Sequence, residues 1–164
     1  MINEFYYKIL NIRNSSINIS QLLQKTMEEL NKEYSNIEKT QMCKVFANNI
    51  SKILSDNNID NRILNTKAEF GVYEHEVVLC RGKEDGKIKY FLIDYTFSQF
   101  FSSNKYFEII NNSRRNDFFN KLLRNGYVEV NNDEIIRYLR IFDNSIFEFN
   151  LDDYFNDIDK KYKK

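Results

Sequence analysis

The chain has 164 residues, the size of one domain, with 24 Lys and Arg against 24 Asp and Glu and a formal net charge of zero. That balance excludes a nucleic-acid wrapper, which needs a basic surface to displace counterions, and a polybasic membrane anchor. With 42% hydrophobic and 15% aromatic residues the chain can build a core, so disorder throughout is excluded as well. Proline is absent and glycine occurs four times, which excludes collagen-like, proline-ligand and flexible-linker classes. Two cysteines do not make a disulfide scaffold and suit a reducing compartment. No apolar run approaches the ~18 residues of a membrane span, and Met1-Ile2-Asn3-Glu4 lacks the basic region of a secretory signal. The expected location is cytoplasmic, or a target cell reached by a non-classical secretion route.

A single domain over 1–164 is expected, with a helical segment over 1–35, a core over 40–101 and a charged tail over 150–164. Phe5, Ile9 and Ile12, then Ile19, Leu22, Leu23, Met27 and Leu30, recur at helical spacing. Ser20 is the expected cap of the second piece. Over 41–54, Met42, Val45, Phe46, Ile50, Ile53 and Leu54 form an apolar stripe of helical period, with Thr40 as its cap and Ser55-Asp56-Asn57-Asn58 as its stop.

Residues 70–95 change period. Tyr73, His75, Val77 and Leu79 alternate with Glu74, Glu76, Val78 and Cys80. Asp85-Gly86 then reads as a tight turn, and 88–95 as the returning strand of a β-hairpin. Phe97 to Phe101 is an aromatic cluster read as core. A helix is expected over 117–124, stopped by Asn125-Gly126, then a strand over 127–130. A helix capped by Asn132 should carry Ile135, Ile136, Leu139 and Phe142 inward. Ser145 to Phe149 reads as a last strand, and the tail from Asp152 as a loose helix. Helices gathered around a small antiparallel sheet make an α+β fold.

The chain has one histidine, His75, and two cysteines, Cys43 and Cys80. Cys43 falls in the first turn of its helix, where free amides and the helix dipole favour a thiolate. Cys80 has the opposite parity to His75 on its strand, so it points to the other sheet face and reads as core. A turn at Asp85-Gly86 pairs Glu84 with Lys87 and therefore sets Val77 opposite Asp94. His75 becomes the diagonal neighbour of Asp94 on one face, roughly 7–8 Å away at Cα. A slip of one residue would separate them. Alone, His75 would read as a satisfied sheet histidine, Cys43 as a small residue of an amphipathic helix and Asp94 as a turn residue. Together they supply a nucleophile, a base and a carboxylate to orient it. Asp94 lies among Leu92, Ile93 and Tyr95, a costly place for a charge with no partner.

The segments Glu74-His75-Glu76-Val77-Val78-Leu79 and Asp94-Tyr95-Thr96-Phe97-Ser98-Gln99-Phe100, with Cys43 opening a helix upstream, resemble the papain-like/transglutaminase-like superfamily. The short interval from Cys43 to His75 is similar to that of compact bacterial toxin and effector cysteine proteases and protein-glutamine deamidases. Tyr95 stands where that group often has Pro or Leu. The resemblance implies a papain-like fold with N-terminal helices packed on the sheet, and catalysis by Cys43, His75 and Asp94. It also implies a side-chain oxyanion donor upstream of the nucleophile, for which Gln41 is the nearest candidate and Asn36 another. Gln99 is an alternative donor, or a brace for the loop after Asp94. The backbone amide of Cys43 is a further donor.

No cofactor or metal is expected. Only three Cys and His residues exist, too few for a zinc site, and Asp152, Asp153, Asp157 and Asp159 lack the glycine of a calcium loop. Two functions stay open. One is a thiol enzyme opening an amide of a peptide or protein substrate, as a protease or a glutamine deamidase, or as a transglutaminase where another amine takes the place of water. The other is a non-enzymatic binding module, an adaptor or immunity protein, that keeps a papain-like shell.

Overall fold

The computed structural model describes residues 18–34, 43–66, 75–97 and 117–156. Among these, five helices surround one four-stranded antiparallel sheet, an α+β arrangement. The elements in chain order are α1 (Ile19–Tyr34), α2 (Cys43–Asp56), β1 (Asp60–Asn65), β2 (Glu76–Glu84), β3 (Lys87–Ile93), α3 (Asp117–Asn125), β4 (Tyr127–Val130), α4 (Asn132–Leu139) and α5 (Leu151–Asn156). The strands lie in the order β1-β2-β3-β4, so each pairs with its neighbour in sequence.

Val77-Val78-Leu79-Cys80 and Phe91-Leu92-Ile93 are continuous apolar runs, the pattern of strands covered on both faces. The packing follows from it. On one face Val78, Cys80, Phe91 and Ile93 meet Leu22, Leu23, Met27 and Leu30 of α1 and Phe46, Ile50, Ile53 and Leu54 of α2. On the other, Leu64, Val77, Leu79, Leu92, Val128 and Val130 meet α3, α4, α5 and the segment between the last two. Each fully buried large apolar side chain contributes roughly 1.5–3 kcal/mol, so the two layers together fix the sheet. Gly82 suits the close approach of α1: a Cβ there would overlap the end of the Ile19 side chain, which would have to turn away.

The hairpin has the expected register. Glu84 pairs with Lys87 and Val78 with Ile93, and Asp85 (φ 54°) and Gly86 (φ 76°) take the left-handed conformations of a two-residue turn. Helix α3 ends where Gly126 adopts φ 81°, and its N–H donates to the Leu122 carbonyl at 2.8 Å.

Several expectations need correction. The cap of α1 is Asn18, whose Oδ1 accepts from the Gln21 amide while Gln21 Oε1 accepts from the Asn18 amide. Ser20 instead donates its amide and hydroxyl to Glu84, which Lys89 also reaches, pinning the hairpin tip to the start of α1. Asn131, not Asn132, caps α4 in a capping box with Glu134. Asn132 is spent on the Leu151 amide, 2.9 Å away. Helix α4 stops at Leu139, so Phe142 enters the core from the turn beyond it. No strand of the sheet forms over 145–149; Ser145 binds back to Asp143, and the chain then enters α5. Strand β1 was not anticipated, because Asp60-Asn61-Arg62-Ile63-Leu64-Asn65 has only two apolar residues. The helix expected around Phe5 to Ile12, the cap Thr40 and the aromatic run beyond Phe97 lie outside the described residues.

Candidate active site

Three elements deliver three side chains to one end of the sheet. Cys43 opens the described part of α2, which packs over β1 and β2. His75 sits just before β2, and Asp94 just after β3, rather than within the strands. The hairpin register brings the two strand ends together.

His75 is held by its backbone as well as its ring. Its N–H donates to Thr66 Oγ1 at 2.9 Å, and its carbonyl accepts from the Thr66 N–H at 2.9 Å. The ring stacks on Phe142, with centroids 5.4 Å apart and planes 23° from parallel. Nε2 lies 2.9 Å from Asp94 Oδ2, and both side chains are 1% exposed. With Nε2 committed to the carboxylate, Nδ1 is the nitrogen left to address the thiol.

Asp94 is fixed from all sides. Its N–H donates to the Gly126 carbonyl at 2.9 Å, and its own carbonyl accepts from the Phe97 N–H at 3.2 Å. Oδ1 accepts from the Thr96 hydroxyl at 3.4 Å. Oδ2 accepts from the Tyr138 hydroxyl at 2.6 Å. These donors offset the cost of burying a polar carboxyl group.

The electrostatics favour an ion pair. Burial works against a charge on His75, yet the Asp94 charge and hydrogen bond, joined by the interaction with Cys43, raise its pKa to about 9. Burial likewise opposes ionisation of Cys43. Against it stand the polar influence of the neighbouring His75 ring and of the Glu76 backbone amide, and the imidazolium charge, and the thiol pKa falls below its ordinary value. Both shifts favour the thiolate–imidazolium form of the pair. Tyr138 is pushed well above the usual phenol range, by burial first and then by Asp94, so it stays a donor. Cys80 is fully buried on the other face, and burial pushes its thiol up, which makes it inert.

Cys43 is half-buried and lines a narrow crevice with Ala47, Ile50, Glu76, Asp94 and Thr96. Gln41 and Gln99, the expected oxyanion donors, and Asn36 lie outside the described residues. Among the described residues no group of three or more His, Cys, Asp and Glu is placed to hold a metal ion, and no helix is long and apolar enough to cross a membrane.

Three residues of the site escaped the sequence. Tyr138 falls between Ile135 and Leu139 on the inward face of α4; a phenol in an apolar stripe needs a partner, and that was its available signal. Thr96 is two residues beyond Asp94, a spacing at which a hydroxyl reaches back. Thr66 gave no signal, because it follows the unforeseen strand β1.

No protein-family model, curated protein or solved structure matches the chain. The arrangement of the side chains is therefore the ground for a functional reading.

Proposed function

We propose that the chain is a papain-like thiol hydrolase that opens an amide bond of a peptide or protein through Cys43, His75 and Asp94. The observation that carries the reading is the buried 2.9 Å His75–Asp94 couple beside a half-buried cysteine of lowered pKa. A structural histidine has no need of a buried carboxylate on one side and a thiol on the other.

The Cys43 thiolate attacks the amide carbonyl carbon, and the carbonyl oxygen takes the negative charge. The Cys43 backbone amide is a donor for that oxyanion. As the C–N bond breaks, imidazolium His75 gives its proton to the departing nitrogen, leaving a thioester and neutral imidazole. The imidazole then takes a proton from water, whose oxygen attacks the thioester. The acid departs and the thiolate–imidazolium pair returns. Asp94 holds the ring and balances its charge throughout. If the amide belongs to the backbone, the product is a cut chain. If it is a glutamine side chain, the products are glutamate and ammonia. The resemblance to compact bacterial effector enzymes favours a protein of a target cell as the substrate.

The test is incubation of the wild-type chain and its Cys43→Ala variant with candidate proteins, read by mass spectrometry. Cleavage, amide-to-acid conversion at glutamine, or a cross-link supports the reading and names its branch, provided Cys43→Ala abolishes it. A Cys43→Ala chain as active as the wild type overturns it. Equal inertness of both cysteines to alkylation in the folded protein would favour the partner-binding module.

A further inference from the structure

We infer that Tyr138 is a positioning residue of this site, holding through its hydroxyl the one carboxylate oxygen of Asp94 that orients His75. The inference rests on the triad reading above and goes beyond it by adding a fourth residue, from a different layer of the fold.

Two donors converge on the same atom. The Tyr138 hydroxyl lies 2.6 Å from Asp94 Oδ2, shorter than the 2.9 Å from His75 Nε2 to that oxygen. The other oxygen, Oδ1, has the Thr96 hydroxyl at 3.4 Å, long for an O–H donor. A carboxylate can turn about its Cβ–Cγ bond, and a weak hold on Oδ1 does not prevent that. The short bond from Tyr138 does, because α4 fixes the phenol. Tyr138 is fully buried and packs against Phe97 (5.9 Å between centroids) and Phe142 (5.4 Å), and Phe142 is the ring on which His75 stacks. One side chain of α4 thus sets both the acceptor and the platform of the imidazole. Without the hydroxyl, Oδ2 loses its fixed direction and the ring its orientation. The imidazolium that stabilises the Cys43 thiolate is then held less firmly.

The titratable groups around the thiol are His75 just before β2, Asp94 just after β3, Glu76 lining the crevice and, behind Asp94, Tyr138 of α4. Tyr138→Phe removes one hydroxyl and keeps the ring. The probe is the rate of iodoacetamide alkylation of Cys43 as a function of pH. In Tyr138→Phe the acidic limb is expected to move up by about one pH unit, making alkylation near pH 6 roughly tenfold slower. In an Asp94→Asn background the same substitution should produce little further shift, because the oxygen it holds is no longer a carboxylate.

An equal shift in both backgrounds would mean that Tyr138 acts by packing alone and would overturn the inference, as would no shift in either. An ordinary thiol titration of Cys43 in the wild type would instead overturn the triad reading itself. Should Tyr138→Phe not fold, the wild-type chain decides: a slowly exchanging phenolic proton, far downfield in the NMR spectrum and displaced by Asp94→Asn, is expected, and its absence overturns the inference.

Discussion

His75 Nε2 and Asp94 Oδ2 stand 2.9 Å apart across 19 residues of chain, and neither side chain is more than 1% exposed. A two-residue turn creates the relationship. Asp85 and Gly86 set Glu84 against Lys87, and the ladder carries that register to the far end of the hairpin, where both residues leave the strands. Such a buried pair is weak as a stabilising device, since its desolvation offsets most of its attraction. Its consequence is electrostatic: the carboxylate raises the pKa of the ring, and the ring in turn lowers that of the thiol.

The first prediction is a bell-shaped pH profile. Cys43 ionises below the ordinary thiol range, and His75 keeps its proton up to about 9. Activity should rise as the thiolate forms and fall as pH passes about 9, where the ring can no longer protonate the leaving nitrogen. Measurement of kcat/KM against pH checks both limbs. An alkaline limb near the ordinary histidine value of ~6.5 would contradict the His75–Asp94 coupling.

The two thiols should differ in kind. Cys43 is half-buried with a lowered pKa, whereas Cys80 is sealed beneath α1 and α2 with a raised one. Iodoacetamide near pH 6, well under the ~8.5 of a free thiol, should label Cys43 alone. Cys80 should react only after unfolding. Peptide mapping of labelled folded and urea-treated chains distinguishes them, and labelling of Cys80 in the folded protein at a comparable rate would count against the described packing.

Much of this geometry was legible because it depends on local rules. The hairpin register follows from Asp85-Gly86, the opposed parities of His75 and Cys80 from strand periodicity, and the end of α3 from Gly126. Residues whose roles depend on contacts remote in sequence were not legible. Ser20 looks like a cap, but Asn18 lies one residue ahead of the helix and Glu84 claims the serine from the opposite element. Arg62 lies on the edge strand β1 and Arg81 on the adjoining strand β2, where a polar pattern would assign both to solvent. There they hold Asp60 and flank the ring of Phe155 at 5.3 and 5.1 Å, so β1 is completed by α5 from the far end of the chain. Tyr138 is of the same kind: helical spacing turns it inward, but only the tertiary fold supplies Asp94.

Activity and stability should separate between the two protonatable partners. Cys43→Ala removes a half-buried sulfur and should change stability by less than about 1 kcal/mol, while lowering turnover by at least about 10³-fold. His75→Ala should lower turnover as far. It also empties a buried site and leaves Asp94 without its cation, at a cost of about 3–5 kcal/mol. Urea unfolding alongside activity assays checks the pair. Equal destabilisation by both would contradict the placement of Cys43 at the rim of the core, beside a narrow crevice.

The His75 proton should also be visible as a pH-dependent stability. Its folded pKa of about 9 lies above its unfolded value, so its contribution is complete below ~6.5 and is lost as pH rises through about 9. Cys43, whose folded pKa is lowered, works in the opposite sense, and the measurement is cleaner in Cys43→Ser. There Asp94 still raises the ring, and its charge is the stronger of the two partners' effects. Stability by urea unfolding should decline by roughly 1–3 kcal/mol between neutral and alkaline pH. The decline should be absent from Cys43→Ser/His75→Asn. A flat profile in the single variant would show that the ring is not held protonated.

Gly126 and Gly86 allow a controlled comparison of two left-handed glycines, at φ 81° and 76°. Alanine at either carries the strain of that conformation, about 1–2 kcal/mol. At Gly86 the new Cβ enters open space, so strain is the whole cost. At Gly126 the Cβ would stand 2.8 Å from Met27 Sδ, and the carbonyl of this residue holds the Asp94 amide. Gly126→Ala should therefore be the more destabilising of the two. It should also slow Cys43 alkylation near pH 6, because a displaced Gly126 carbonyl moves the turn that presents Asp94 to His75. Gly86→Ala, at the opposite tip of the hairpin, should leave that rate unchanged while lowering stability. Parallel unfolding and alkylation measurements on the two variants test the connection, and equal alkylation rates would break the proposed link from the end of α3 to the imidazole.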